Sequence, residues 1–162
     1  MKKLLYTLLL FTVLSAPFVT KPLQAEAKVV KISKSNFPDK NLRKEVKKFD
    51  KDKDGILSEK ELKSATHFWN DNDGSIKVVN LKGISKLSYL KGLDIERVKI
   101  KNFNEIRKLK KLTSLTLHRV RNKELDISKC TNLREVQCID SFRLSKIKLG
   151  NNKKLVKLDI GA

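Results

Sequence analysis

Apolar residues recur along this chain with two different periods. From about residue 84 onward the period is long. Leu90-x-x-Leu93-x-Ile95 opens a unit that Phe103, Ile106 and Leu109 complete. Leu112-x-x-Leu115-x-Leu117, Leu133-x-x-Val136-x-Cys138 and Leu155-x-x-Leu158-x-Ile160 open three more, with starts 22, 21 and 22 residues apart. Alternate apolar positions predict a short strand at each start, and the later apolar residues turn the chain back along the other side of a coil. Ile76, Val78, Leu81, Ile84 and Leu87 read as an irregular earlier turn. A helical bundle is the competing reading, since Ile106–Leu112 and Leu144–Leu149 allow some helix. The threonine-rich alternation of Leu112–Leu117 argues for strand. Nearer the N-terminus the period is helical. Leu42, Val46 and Phe49 follow Pro38 and Asp39, which suit a helix start. Leu62, Ala65, Phe68 and Trp69 predict a second helix that runs through Trp69.

The long period resembles a leucine-rich repeat over roughly residues 76–162. No such unit buries its apolar face alone, so neighbours stack into a curved solenoid. The inward Asn usual in that motif is replaced by Val98 and Val120, while Asn151 and Asn152 lie elsewhere. The expected fold is an α/β solenoid: a short leucine-rich repeat array over 70–162, capped at its N-terminus by a helix-loop-helix unit over 28–69. Its last strand is expected to be uncapped at the C-terminal end.

Between the two predicted helices lies Asp50-Lys51-Asp52-Lys53-Asp54-Gly55-Ile56-Leu57-Ser58-Glu59-Lys60-Glu61. Carboxylates stand at the first, third and fifth places, and Gly55 allows a sharp turn. Ile56 would offer its carbonyl, Ser58 its hydroxyl or a bound water, and Glu61 both oxygens. Hard oxygen donors in this number suit Ca²⁺. The loop resembles that of an EF-hand and fits D-x-[DN]-x-[DN]-G-x₅-E at every fixed place. The expected metal ligands are therefore Asp50, Asp52, Asp54, Ile56, Ser58 and Glu61. A second candidate, Trp69–Asn80, lacks an acid at its first and last places, so Asn72-Asp73-Gly74 reads as a plain turn.

Composition adds a compartment and a charge. Met1-Lys2-Lys3, an uncharged and mostly apolar run from Leu4 to Thr20, and Ala25-Glu26-Ala27 form the pattern of a secretory signal peptide over 1–27, cleaved before Lys28. No later apolar stretch is long enough to span a membrane. Cleavage removes Lys2, Lys3, Lys21 and Glu26, so 37 basic residues become 34, 18 acidic become 17, and the net charge is about +17. That charge favours polyanions, including anionic cell-wall polymer, although lysines scattered through amphipathic pattern fit a solvated surface better than a dedicated patch. Few aromatics interleave the lysines, so specific nucleic-acid binding is not expected. Export would permit a disulfide between Cys130 and Cys138, but both fall at apolar places in the repeat, which favours buried free thiols. His67 and His118 have no ligand spacing to them, and no acid pair is placed for catalysis, so the chain is not expected to be an enzyme.

Taken together, Ser33 to Ala65, the tract Leu125-Asp126-Ile127-Ser128-Lys129-Cys130-Thr131-Asn132-Leu133, and the exported N-terminus resemble secreted bacterial leucine-rich repeat proteins with an N-terminal EF-hand. Internalin-like proteins are similar. The resemblance implies a recognition protein, secreted or loosely held at the cell surface, and no catalytic residue. A protein or glycan partner is expected on the strand face, at Arg97, Thr116, His118, Arg119, Arg134 and Gln137. Asp94, Glu96, Thr113, Glu135 and Asp140 accompany them. A calcium-dependent binder of anionic wall polymer through the basic surface is the second reading. Calcium itself is expected to be mainly structural.

Overall fold

The computed structural model describes residues 28–69, 78–96 and 99–161. The predicted signal peptide, the Asn72-Asp73-Gly74 turn, Arg97 and Val98 lie outside the described residues. Five parallel strands form the main sheet: β3 (His67–Trp69), β4 (Gly92–Glu96), β5 (Ser114–His118), β7 (Glu135–Ile139) and β9 (Lys157–Asp159), in that order. Gly92, Ser114, Glu135 and Lys157 are paired neighbours across four of these strands, which reproduces the spacings of 22, 21 and 22. One repeat is thus one turn of a β-solenoid. On the opposite side the chain returns through 3₁₀ turns at Ile84–Lys86 and Phe103–Lys108. Further along it returns through a second, two-stranded parallel sheet of β6 (Glu124–Asp126) and β8 (Lys146–Lys148). The helical alternative for Leu144–Leu149 therefore gives way to strand.

The predicted second helix is shorter than its apolar spacing suggested. Helix α2 (Glu59–Ser64) stops at Ser64, and His67–Trp69 is the first strand of the main sheet, with Phe68 paired to Leu93. Tertiary pairing prevails over helical spacing here: Thr66 O accepts from the amides of both Lys91 and Gly92. The "irregular earlier turn", whose described residues start at Val78, is consequently preceded by a strand that starts 25 residues before Gly92. Phe68, Leu93, Leu115 and Val136 form one inward row across the turns, and Ile95, Leu117 and Cys138 a second, all buried.

The cap and the turns share a single core that runs from Val30 to Cys138. Asp39 caps helix α1 (Lys40–Val46), accepting at Oδ1 from the amides of Asn41 (2.8 Å) and Leu42 (2.9 Å). Its Oδ2 accepts from Val79 N at 3.0 Å, tying the helix to the first turn. Gly83 packs so closely on the cap that an added Cβ would meet Asn36 O at 2.0 Å. Asparagines bond successive turns to one another, a feature the sequence reading missed. Asn122 exchanges two bonds with the Ile100 backbone (both 2.9 Å), Asn102 donates to Asn80, and Asn132 donates to Lys110 O. Asn122 and Asn132 meet backbone groups of the turning chain, while Asn102 bonds the Asn80 side chain. Val120 is buried as a packing residue where the motif's Asn was missing.

Cys130 and Cys138 are free and buried, as the repeat register predicts. Burial pushes both thiols up to about 11. Since the thiolate is the reactive form, both should be silent toward a thiol reagent at pH 8 in the folded protein and titrate fully in denaturant. Fast labelling of the native chain would contradict this packing.

Candidate metal centre and recognition face

The acidic loop is held from both ends. Before it, α1 passes into a 3₁₀ turn at Lys47–Phe49. After it, Ser58 caps α2, its hydroxyl accepting from Glu61 N at 3.3 Å. The second half of the loop is fixed by a small antiparallel pair, β1 (Val30–Lys31) with β2 (Ile56–Leu57), and by Ile32 N donating to Gly55 O at 2.8 Å. The first residues of the cap therefore occupy the edge on which a second loop could have paired. Lys53 and Gly55 take positive φ (63° and 82°), which turns the alternate carboxylates inward.

Asp50, Asp52 and Asp54 each bring a carboxylate oxygen within 4.8 Å of the others. One oxygen of each is used by the loop itself: Gly55 N donates to Asp50 Oδ2 (3.0 Å), Asp54 N to Asp52 Oδ1 (3.3 Å) and Ile56 N to Asp54 Oδ1 (2.7 Å). Asp50 is buried, and its Oδ1 has no hydrogen-bond partner. A buried carboxylate oxygen with nothing to bond is costly unless a cation satisfies it. The Asp54 amide pulls the Asp52 carboxyl down, but desolvation and the charges of Asp54 and Glu61 outweigh it and lift Asp52 above its ordinary value. Like charges gathered this closely call for a counter-charge.

Glu61 stands apart from that trio. Its Oε1 accepts from Lys51 N (2.6 Å) and its Oε2 from the Ser58 amide (2.9 Å) and hydroxyl (2.7 Å). The Ser58 hydroxyl first, then the Lys51 and Ser58 amides, hold its carboxyl down to about 2. It therefore clasps the two ends of the loop and completes a capping box, with Ser58 as its partner. Ile56 lies on β2, paired with Lys31. Of the six predicted ligands, the structure brings three together in one cluster and places the others on the closing side of the loop.

The outward face of the main sheet carries its side chains in rows. Trp69, Asp94, Thr116, Gln137 and Asp159 form one row, and Glu96, His118 and Ile139 another. His118 is bracketed: Nδ1 lies 3.2 Å from Glu96 Oε1 and Nε2 3.3 Å from Asp140 Oδ2. Arg119 Nε also donates to Asp140, at 3.1 Å. Burial, then the charge of Glu96, raises the Asp94 carboxyl, with His118 pulling the other way. Arg134 is exposed beside the start of β7. The structure thus places Thr116, His118 and Gln137 on the outward face and links Arg119 to His118 through Asp140, while Arg134 precedes the strand. The sequence reading missed Trp69, which is 62% exposed at the edge of this face. The signal was present: Ala65-x-x-Phe68 repeats the spacing of Leu90-x-x-Leu93. Asp94, Glu96, Glu135, Asp140 and Asp159 make the face rich in carboxylates on a strongly basic chain.

No protein-family profile matches the chain, and no curated protein matches it. Among solved structures it is similar to one described as the functional domain of InlJ from Listeria monocytogenes, which includes a cysteine ladder. Identity is 19% and the TM-score 0.34; the match covers 83% of this chain and 39% of that one. The chain thus spans about two fifths of that structure's length.

Proposed function

We propose that this protein is a secreted recognition protein whose parallel-sheet face binds a protein or glycan partner, with Ca²⁺ bound structurally in the loop of residues 50–61. The observation that carries the recognition role is the sheet itself. Its inward rows are buried, while its outward rows stand open as an ordered surface on which polar groups, His118 and Trp69 are fixed by strand pairing. A rigid surface with an aromatic anchor and half-buried polar groups loses little entropy on binding. No catalytic step is proposed.

For the metal, Asp50, Asp52 and Asp54 would supply carboxylates, Ile56 its carbonyl, Ser58 a direct or water-mediated contact, and Glu61 the closing oxygens. The unpartnered Asp50 oxygen supports this assignment, as does the mutual repulsion of the three carboxylates. The ion would fix α1 and α2 relative to one another, and with them the end of the solenoid that they cover. Screening the chain against immobilised surface proteins and glycans tests the face. Any ligand found should bind at least about tenfold more weakly when Trp69→Ala is combined with Gln137→Ala. A ligand whose affinity is unchanged by those substitutions would place recognition elsewhere.

A further inference from the structure

Part of the positive charge, scattered in sequence, is aligned by the solenoid along one flank. Lys86, Lys108 and Lys129 stand six residues before Gly92, Ser114 and Glu135, which are paired neighbours in the sheet. They therefore occupy the same place on three successive turns, and adjacent strands lie about 5 Å apart. Two cavities on this flank, of about 380 and 330 Å³, share Glu105 and Lys108 as lining residues and so adjoin one another as a grooved strip. Six cations line it: Lys82, Lys86, Arg107, Lys108, Lys110 and Lys129. Glu105 is the only acid among the described lining residues, and it is held by Lys108 at 2.5 Å and by the Ser85 hydroxyl at 3.3 Å. Arg107 reaches Asp126 at 3.3 Å, while Lys110 Nζ rests on the carbonyls of Arg107 and Lys129. All the lysines in the groove are exposed. The strand face, by contrast, carries carboxylates.

We propose that this groove binds a linear polyanion that carries no bases. Cations repeated along the solenoid axis suit a chain with phosphate or sulfate groups at intervals, because lysine ammonium groups act as point charges with little demand on geometry. Among the described residues no aromatic side chain lines the groove, so unstacked bases would find no platform there, which disfavours single-stranded nucleic acid. This inference is independent of the strand-face reading, since it concerns a different surface.

The test compares three probes of matched charge number: poly(glycerol phosphate), heparin and oligo-dT. Binding of each is measured on the chain and on two triple variants. Lys86→Gln, Lys110→Gln and Lys129→Gln remove charge from the groove; Lys40→Gln, Lys44→Gln and Lys47→Gln remove the same charge from exposed sites on and beside α1. The groove variant should lose at least about tenfold in affinity for a base-free probe, the control less than about threefold, and added salt should weaken what remains. Tighter binding of poly(glycerol phosphate) would mark phosphate as the preferred group, and tighter binding of heparin would mark sulfate; both support the proposal. Equal losses in the two variants would overturn it in favour of diffuse charge. Oligo-dT bound as tightly as either base-free probe, or no binding by the unaltered chain, would overturn it as well.

Discussion

Replacing Gly83 with Ala should destabilise the protein by about 3 kcal/mol or more, lowering its thermal midpoint by about 10 °C. Two effects add. Gly83 holds φ at +97°, where a side chain is strained, and its missing Cβ leaves room for Asn36 O, which would otherwise stand 2.0 Å away. The second effect belongs to the junction, because Asn36 is in the cap and Gly83 in the first turn. Gly55→Ala is the matched control. Its φ is +82°, yet nothing lies within 4 Å of the added atom, so it should cost only about 1–2 kcal/mol. Equal costs for the two substitutions in urea denaturation would mean that the cap does not press on the turn.

Asp39→Ala should cost about 2–3 kcal/mol, which is unusual for one surface-proximal carboxylate. The side chain satisfies two helix amides with Oδ1 and Val79 N, 40 residues away, with Oδ2. Alanine leaves all three donors unpaired in a place that is only 8% exposed. Asp39→Asn keeps the Oδ1 cap and loses the long-range acceptor, so it should cost about 1 kcal/mol. The difference between the two variants measures the cap, and the cost of Asn alone measures the link to the first turn. If Asn proved as costly as Ala, the link to Val79 would carry the whole effect and the helix cap none.

The repeat was legible in sequence because one turn of the coil is one period. Leucines at 90, 112, 133 and 155 mark each turn, and pairing in the sheet reproduces their spacing. The first strand was hidden for a physical reason. At its start the leucine is replaced by Ala65, and Phe68 falls three residues later, a spacing that also fits a helix. Only the bonds from Lys91 and Gly92 to Thr66 decide between the two. The acidic loop was legible because its donors are local. The second task of Glu61 was less so, since S-x-x-E reads as a helix cap and as the end of the loop at once, and the structure shows the cap. The alignment of charge along one flank needed the fold. Lys86, Lys108 and Lys129 look unrelated in a line of lysines, and only the turn length aligns them.

The structural role of calcium is tested most directly by the thermal midpoint of the protein measured in chelator and then across rising calcium, beside an Asp50→Asn chain. With affinity on the order of 10⁻⁴ M, as in extracellular modules, about 2 mM calcium should stabilise the fold by about 2 kcal/mol and raise the midpoint by about 5 °C. The Asp50→Asn chain should show little or no rise. A midpoint that stays flat from chelator through millimolar calcium would contradict an ion that holds the lid of the solenoid.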